Sequence, residues 1–217
     1  MSYPIIVSVD SNIGSGKTTL LTILKAAMPD VEVVLEPVGE WMRLKDPATG
    51  KSLLELFYED KKRWAYTFQN CAILTRLRTI KAALASTTKR VILTERSVLT
   101  DRYVFAEMLR ESGEITGLEW ELYEMWYNTF AADLPIRGVI YLTTGVGTSA
   151  GRIVTRGRAG EDHIPLDYLA ALDAQHHRWL DGTTLPVLRI STEPGVAVEA
   201  NVAAVRGFVD GLVERAD

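Results

Sequence analysis

The sequence predicts an α/β fold in which a five-stranded parallel sheet is flanked by helices on both faces. Two observations carry this expectation. Five short runs, Ile5 to Val9, Val31 to Leu35, Val91 to Leu93, Val139 to Leu142 and Val187 to Ile190, are apolar on both faces, as strands covered on both sides are. The segments between them are long enough for the crossover helices that parallel strands require.

Taken in order, the first run passes at once into Ser11 to Thr19 (SNIGSGKTT) and then into a helix-like stretch, Leu20 to Ala27. Strand, glycine-containing loop, helix is the order of a phosphate-binding unit. The second run ends at Glu36-Pro37. A long helix is expected over Asp60 to Ala85, where Trp64, Phe68, Cys71, Leu74 and Leu77 recur at helical spacing. The third run ends at Thr94-Glu95-Arg96, and helices are expected at Asp101 to Glu111 and Leu118 to Ala131. The C-terminal stretch Val196 to Arg215 alternates Ala and Val with charges at roughly helical period. With no internal repeat, low-complexity tract or linker-like composition, residues 1–217 read as one domain.

Lys and Arg number 24 against 28 Asp and Glu, a formal charge of −4, and no long run carries one sign. A broad electrostatic grip on nucleic acid or a membrane surface is therefore not expected, and any phosphate chemistry must be local. Cys71 is the single cysteine, which excludes an internal disulfide and suits a small core residue. No apolar stretch reaches about 18 residues, and no charged leader precedes Ile5, so a cytoplasmic protein without a membrane segment is expected. The histidines are His163, His176 and His177. Adjacent helical residues point about 100° apart, so a histidine metal site is not expected.

From Ser11 through Asn12, Ile13, Gly14, Ser15, Gly16 and Lys17 to Thr18 and Thr19, the spacing fits the P-loop, except that serine takes the first glycine position. Consecutive backbone N–H groups and the helix N-terminus would cradle phosphates, Lys17 would reach the β and γ groups, and the Thr18 hydroxyl would ligate Mg²⁺. Ser11 would matter only if its position demanded a positive φ.

The Asn-Lys-x-Asp sequence with which signalling GTPases read guanine is absent. Polar residues instead sit at the carboxyl ends of successive strands, where ligands of open α/β sheets bind. Lys17 follows the first strand, Glu36 the second, and Glu95 and Arg96 the third. A phosphoryl-transfer site needs a cationic cradle, an acid to hold Mg²⁺ and a group that orients and deprotonates the acceptor. Glu95 suits the metal and Glu36 the base, which would contribute about 10² to 10⁴ fold. Arg152, Arg156 and Arg158 form a compact cationic cluster able to clamp a transferring phosphoryl group. Gln69 and Arg76 are seven residues apart, two turns of one helix, and so face the same way.

The strings SNIGSGKTT, EPVGEW (Glu36 to Trp41), LLELFYEDKKRWAYTFQ (Leu53 to Gln69), ERSVLTDRYVFA (Glu95 to Ala106) and RGRAGEDHIPLDYL (Arg156 to Leu169) resemble, in order, the deoxynucleoside kinases of the deoxycytidine and deoxyguanosine kinase type. The resemblance implies a P-loop kinase with an arginine-rich lid at about residues 152–163, with ATP as phosphoryl donor and Mg²⁺ as its partner ion. It implies that Glu36 is the base on the nucleoside 5′-hydroxyl, that Arg96 helps hold that hydroxyl, and that Glu95 serves Mg²⁺. Tyr58 and Glu161 match the residues that bind the sugar 3′-hydroxyl. Trp41, Phe68 and Phe105 match the aromatic walls around the base, and Gln69 the amide on its edge. Arg76 and Asp101 match the pair found in deoxycytidine and deoxypurine kinases, where thymidine-preferring relatives carry uncharged residues. An aspartate accepts from an exocyclic amino group, whereas thymine presents an acceptor and a methyl group there. The expected substrate is a small-molecule deoxynucleoside, deoxycytidine favoured, purine deoxynucleosides accepted and thymidine disfavoured. The family is usually dimeric through helices packed beside the long helix, so a homodimer is expected. Two other readings are a nucleoside monophosphate kinase of thymidylate kinase type and a catalytically silent nucleotide-binding subunit on the same fold.

Overall fold

A computed structural model describes residues 4–161 and 164–216. Five strands, β1 (Ile5–Asp10), β2 (Val31–Val34), β3 (Val91–Glu95), β4 (Ile136–Thr143) and β5 (Val187–Ser191), pair in the order β2-β3-β1-β4-β5. Every pairing is parallel. Strand β1 is central and entirely buried, and its successive side chains enter opposite layers. Ile5, Val7 and Val9 pack with Leu21 and Leu24 of α1 (Lys17–Ala27) and with Val205, Val209 and Leu212 of α10 (Val198–Glu214). Ile6 faces the other layer, with Phe57 of α3 (Leu53–Glu59), Phe68 and Ile80 of α4 (Lys61–Ser86) and Tyr123 of α7 (Gly117–Phe130). Each buried Ile or Leu of this kind contributes about 1.5 to 3 kcal/mol of transfer free energy. Gly138 of β4 is where α10 comes closest: a Cβ there would lie 2.7 Å from Leu212 Cδ1.

The chain leaves β2 through α2 (Val38–Arg43) and reaches α3 through Ser52, whose hydroxyl and Glu55 form a reciprocal cap. The sequence places Leu74 on the buried face of α4, yet it is 44% exposed. The inward stripe runs instead through Phe68, Gln69, Ala72, Ile73, Arg76 and Leu77. That face borders a cavity and carries two polar groups, so apolar spacing alone points to the wrong side.

The helix expected at Asp101 to Glu111 begins earlier, at α5 (Val98–Thr100), and continues as α6 (Glu107–Glu111). Between them, Asp101–Ala106 is wound as a π-helix, a local widening associated with functional sites. Helices α8 (Val146–Arg156) and α9 (Leu166–Gly182) complete the fold. Among the described residues no helix is long and apolar enough to cross a membrane. His163 and the end of the expected lid segment lie outside the described residues.

Candidate active site

The order β2-β3-β1-β4-β5 makes β1 the point from which the chain proceeds to either side, the position where a crevice opens beyond the carboxyl ends of the strands. The Ser11 to Gly16 loop leaves β1 there and opens α1. Gly14 has φ +81° and lies so close to α8 that a Cβ would stand 2.4 Å from Ser149 O. Gly16, at φ +90°, ends the loop. Arg96 is the one described non-glycine residue with positive φ, so Ser11 occupies the first glycine position without that strain. Its hydroxyl accepts from Lys17 Nζ at 3.0 Å.

Lys17 is folded back onto the loop, donating also to Asn12 O at 2.8 Å and Ser11 O at 3.2 Å. Burial lowers its pKa to about 7, the neighbouring Arg96 adding to the effect. The Asn12 side chain is committed elsewhere: its amide donates to Leu169 O at 2.8 Å and its oxygen accepts from the Ile13 amide. This ties the loop to α9.

The acids after β2 and β3 meet here. Thr18 Oγ1 donates to Glu95 Oε1 at 2.6 Å, and the Glu36 amide to Glu95 Oε2 at 3.4 Å. Glu36 accepts from Arg96 Nη1 with both oxygens at 2.9 Å and from Arg76 Nη2 at 2.7 Å. Burial works against its charge, but Arg96, Arg76 and Lys17 outweigh it and hold the carboxyl well below its usual range. Arg76 spans three groups: Nε donates to Asp101 Oδ2 at 2.8 Å and Nη1 to Glu95 O at 2.7 Å. Burial pushes the Asp101 pKa up, with Arg76 opposing.

Two cavities open from this point. One, about 910 Å³ including space open to solvent, is lined by Glu36, Arg76, Arg96, Asp101, Tyr58 and Glu161 on its polar side and by Trp41, Phe68, Phe105, Phe57, Leu54 and Ala72 on its apolar side. Phe57 and Phe68 stack at 4.5 Å between centroids, Trp41 meets Phe68 edge-on at 5.3 Å, and Trp41 Nε1 donates to Thr75 Oγ1 at 2.9 Å. The Arg96 guanidinium lies 4.8 Å from the centre of the Phe105 ring. Gln69 lines the same cavity with a buried Oε1 that has no partner. The other cavity, about 1370 Å³, is bounded by Gly14 to Thr19, by Arg152, and by Thr192, Glu193 and Asn201 after β5. Gly14, Lys17, Thr18, Glu95, Arg156 and Arg158 line both cavities, which is to say the two meet at the loop lysine.

The three arginines of the expected lid divide. Arg152 on α8 donates to Ser15 O at 3.3 Å and Thr192 O at 2.7 Å, bracing the loop. Arg156 and Arg158 both pair with the buried Glu161, the latter at 3.0 Å. Ile13 lines the aromatic cavity, not the one on the far side of the loop.

Some lining groups escaped sequence reasoning. Tyr168 lies within a quoted string but nothing in its spacing marks it. Asn201, beyond the end of β5, belongs to no motif. Asp10, the last residue of β1, lines neither cavity; it is fully buried beneath the loop's start and accepts from the Ser8 and Thr100 hydroxyls.

The family model described as deoxynucleoside kinase matches residues 7–206. The chain is similar to the deoxycytidine kinase of Bos taurus, 38% identical over 198 residues that cover 82% of this chain and 76% of that protein. The deoxycytidine kinase of Homo sapiens is 37% identical over 198 residues, covering 82% and 76%. A mitochondrial deoxyguanosine kinase of Xenopus laevis is 31% identical over 240 residues, covering 95% and 90%.

Proposed function

The chain belongs to the deoxynucleoside kinase family, and from that premise we propose that it transfers the γ-phosphoryl group of ATP to the 5′-hydroxyl of a deoxyribonucleoside, serving nucleotide salvage. The observation that carries this reading is the meeting of two cavities at Lys17: one bounded by the P-loop for the donor, and an aromatic-walled one lined by Glu36 for the acceptor.

Glu36 takes the proton of the 5′-hydroxyl, and Arg96 orients both groups. Lys17, Arg156 and Arg158 neutralise the charge that develops on the phosphoryl oxygens, with Arg152 completing the arginine-rich lid. Thr18 and Glu95 offer the hard oxygen pair that suits Mg²⁺. When bound, that ion supplies further neutralisation of the donor phosphates. Because the transition state is loose, positioning and electrostatics supply most of the acceleration, which fits a site rich in cations and poor in nucleophiles.

On the acceptor side, Trp41, Phe68 and Phe105 wall the base, Gln69 bonds its edge, and Tyr58 with Glu161 holds the sugar 3′-hydroxyl. Arg76 and Asp101 set base choice: deoxycytidine first, deoxyadenosine and deoxyguanosine accepted, thymidine disfavoured. A carboxylate facing thymine O4 would be left unpaired, a mismatch that discriminates strongly. A monophosphate acceptor fits poorly. The four arginines of this cavity, Arg76, Arg96, Arg156 and Arg158, are each bonded to a carboxylate, and Glu36 would repel an acceptor phosphate.

The reading extends to a single catalytic domain that works in the cytoplasm as a homodimer. For the dimer, the supporting feature is the apolar outer face of α7, where Leu118, Leu122, Met125, Trp126 and Phe130 are exposed.

ADP release with Mg-ATP and, separately, deoxycytidine, deoxyadenosine, deoxyguanosine and thymidine tests the whole, with Lys17→Ala as control. Turnover with one of the first three and little with thymidine is the expected result. Preferential thymidine turnover would discard the base assignment, and no turnover with any would discard the reaction.

A further inference from the structure

Buried polar atoms without partners are rare in folded proteins, and each calls for a reason. Three such atoms belong to residues that line the aromatic cavity: Gln69 Oε1, Arg96 Nε and the Tyr168 hydroxyl. The proposed reaction gives work to the first two residues and none to the third.

Tyr168 stands in the first turn of α9, immediately beyond the lid segment. The Lys61 ammonium lies 4.9 Å from the centre of its ring. Its body packs among Ile13, Phe105 and Leu172. Tyr168 lines the same cavity as Tyr58 and Glu161, and the Lys61 ammonium that contacts its ring also lies 5.8 Å from the centre of the Tyr58 ring, so the two tyrosines flank one cation. Burial keeps the Tyr168 phenol protonated by raising its pKa above the ordinary value of 10.0. It therefore stands ready both to donate and to accept one hydrogen bond.

We propose that Tyr168 is a further substrate-binding residue, whose hydroxyl completes the polar edge formed by Tyr58 and Glu161 around the deoxyribose 3′-hydroxyl. This rests on the reading of the cavity as a nucleoside site. A hydroxyl group of the sugar has two lone pairs and one proton, so a carboxylate and two phenols can engage it together without leaving one unsatisfied. Before the sugar arrives, the Tyr168 hydroxyl is unpaired, and its desolvation is a cost that binding removes. Binding sites hold such unrelieved groups at the expense of stability.

The test is a cycle of protein and ligand changes read by calorimetric binding, so that it does not depend on turnover. Tyr168→Phe keeps the ring, its packing and the Lys61 contact, and deletes the orphan oxygen alone. Deoxycytidine and 2′,3′-dideoxycytidine are titrated into wild type, Tyr168→Phe and Tyr58→Phe. We expect Tyr168→Phe to weaken deoxycytidine about tenfold, the loss of one neutral hydrogen bond, to leave the dideoxynucleoside within twofold, and to melt no lower than wild type. An equal loss for both ligands, or no loss for either, overturns the proposal. If Tyr58→Phe shows the 3′-hydroxyl-dependent loss and Tyr168→Phe does not, Tyr168 falls alone and the nucleoside site stands. If wild type binds neither ligand, the nucleoside reading falls and this assignment with it.

Discussion

Arg96 grips both oxygens of Glu36 at 2.9 Å from a backbone with φ 59°, a left-handed conformation that a branched or long side chain adopts only at a cost. The surroundings over-determine it. The Arg96 amide donates to Val9 O at 3.0 Å, and Nη2 to Ser11 O at 3.3 Å. Strain of this kind, about 1 to 3 kcal/mol, persists where a neighbourhood holds it in place. Its effect is to turn the guanidinium back from the end of β3 toward the end of β2, where Glu36 waits.

Glu36→Gln preserves shape and one acceptor oxygen but removes the proton sink. The expected outcome is a drop in kcat of about 10² to 10⁴ fold, with deoxynucleoside binding changed less than about tenfold. Single-turnover ADP formation and calorimetric binding separate the two, and unchanged turnover would remove Glu36 from the mechanism. Stability carries a second signature. The Glu36 pKa is depressed below its ordinary 4.5, so its contribution is present above that pH and fades as acidification continues below it. The gap in Tm between wild type and Glu36→Gln should therefore be full at pH 6 and narrow below pH 4.5.

Lys17 makes the opposite statement. With a folded pKa of about 7 against an ordinary 10.5, it binds fewer protons folded than unfolded between those values, so it works against stability more as pH falls from 10.5 to 7. An anionic donor favours the ammonium form and must draw a proton to it. At pH 8, Mg-ATP binding should take up protons, read from calorimetry in buffers of different ionisation enthalpy. Lys17→Ala should abolish the uptake; uptake that survives this change would place the titrating group elsewhere.

The strand runs and the P-loop were legible because they are local: mainly apolar runs of three to five residues, and a glycine spacing that backbone geometry dictates. The acids and arginines at the strand ends were legible for a related reason, since parallel topology brings successive carboxyl ends to one crevice. What spacing could not reveal is the company each residue keeps. Leu74 sits in a helical apolar pattern yet faces outward, because the inner face of α4 serves a cavity and carries Gln69 and Arg76. The π-helical winding at Asp101–Ala106, the left-handed Arg96 and the orphan hydroxyl of Tyr168 all arise from tertiary packing. No pattern in the sequence marks them.

The Arg76 and Asp101 ion pair is buried, with side chains only 4% and 2% exposed. Pairing with each other does not withdraw them from the cavity, since both line it. Asp101→Asn leaves Arg76 with Glu36 and Glu95 O but without one counter-charge. It should cost about 3 kcal/mol, the low end for breaking a buried pair. The neutral amide can rotate to donate to thymine O4. The ratio of kcat/KM for deoxycytidine over thymidine should fall at least about tenfold, measured by ADP release, while a ratio that holds would free Asp101 from base choice.

Helix α7 buries Tyr123 and Tyr127 yet leaves Leu118, Leu122, Met125, Trp126 and Phe130 at 74%, 41%, 65%, 42% and 42% exposure. The spacing of four, three, one and four residues gathers these side chains on one face. Among the described residues one side of α7 is packed and the other is open, and an apolar patch of this kind marks an interaction surface. A second copy is the simplest cover, because a twofold axis sets the same face against itself. Sedimentation should give twice the chain mass of 24.1 kDa. Leu122→Glu with Trp126→Glu should reduce it to that mass without loss of helical signal, since neither side chain supports the inner core. A wild type that sediments at the chain mass, or a double variant that remains paired, would place the contact elsewhere or remove it.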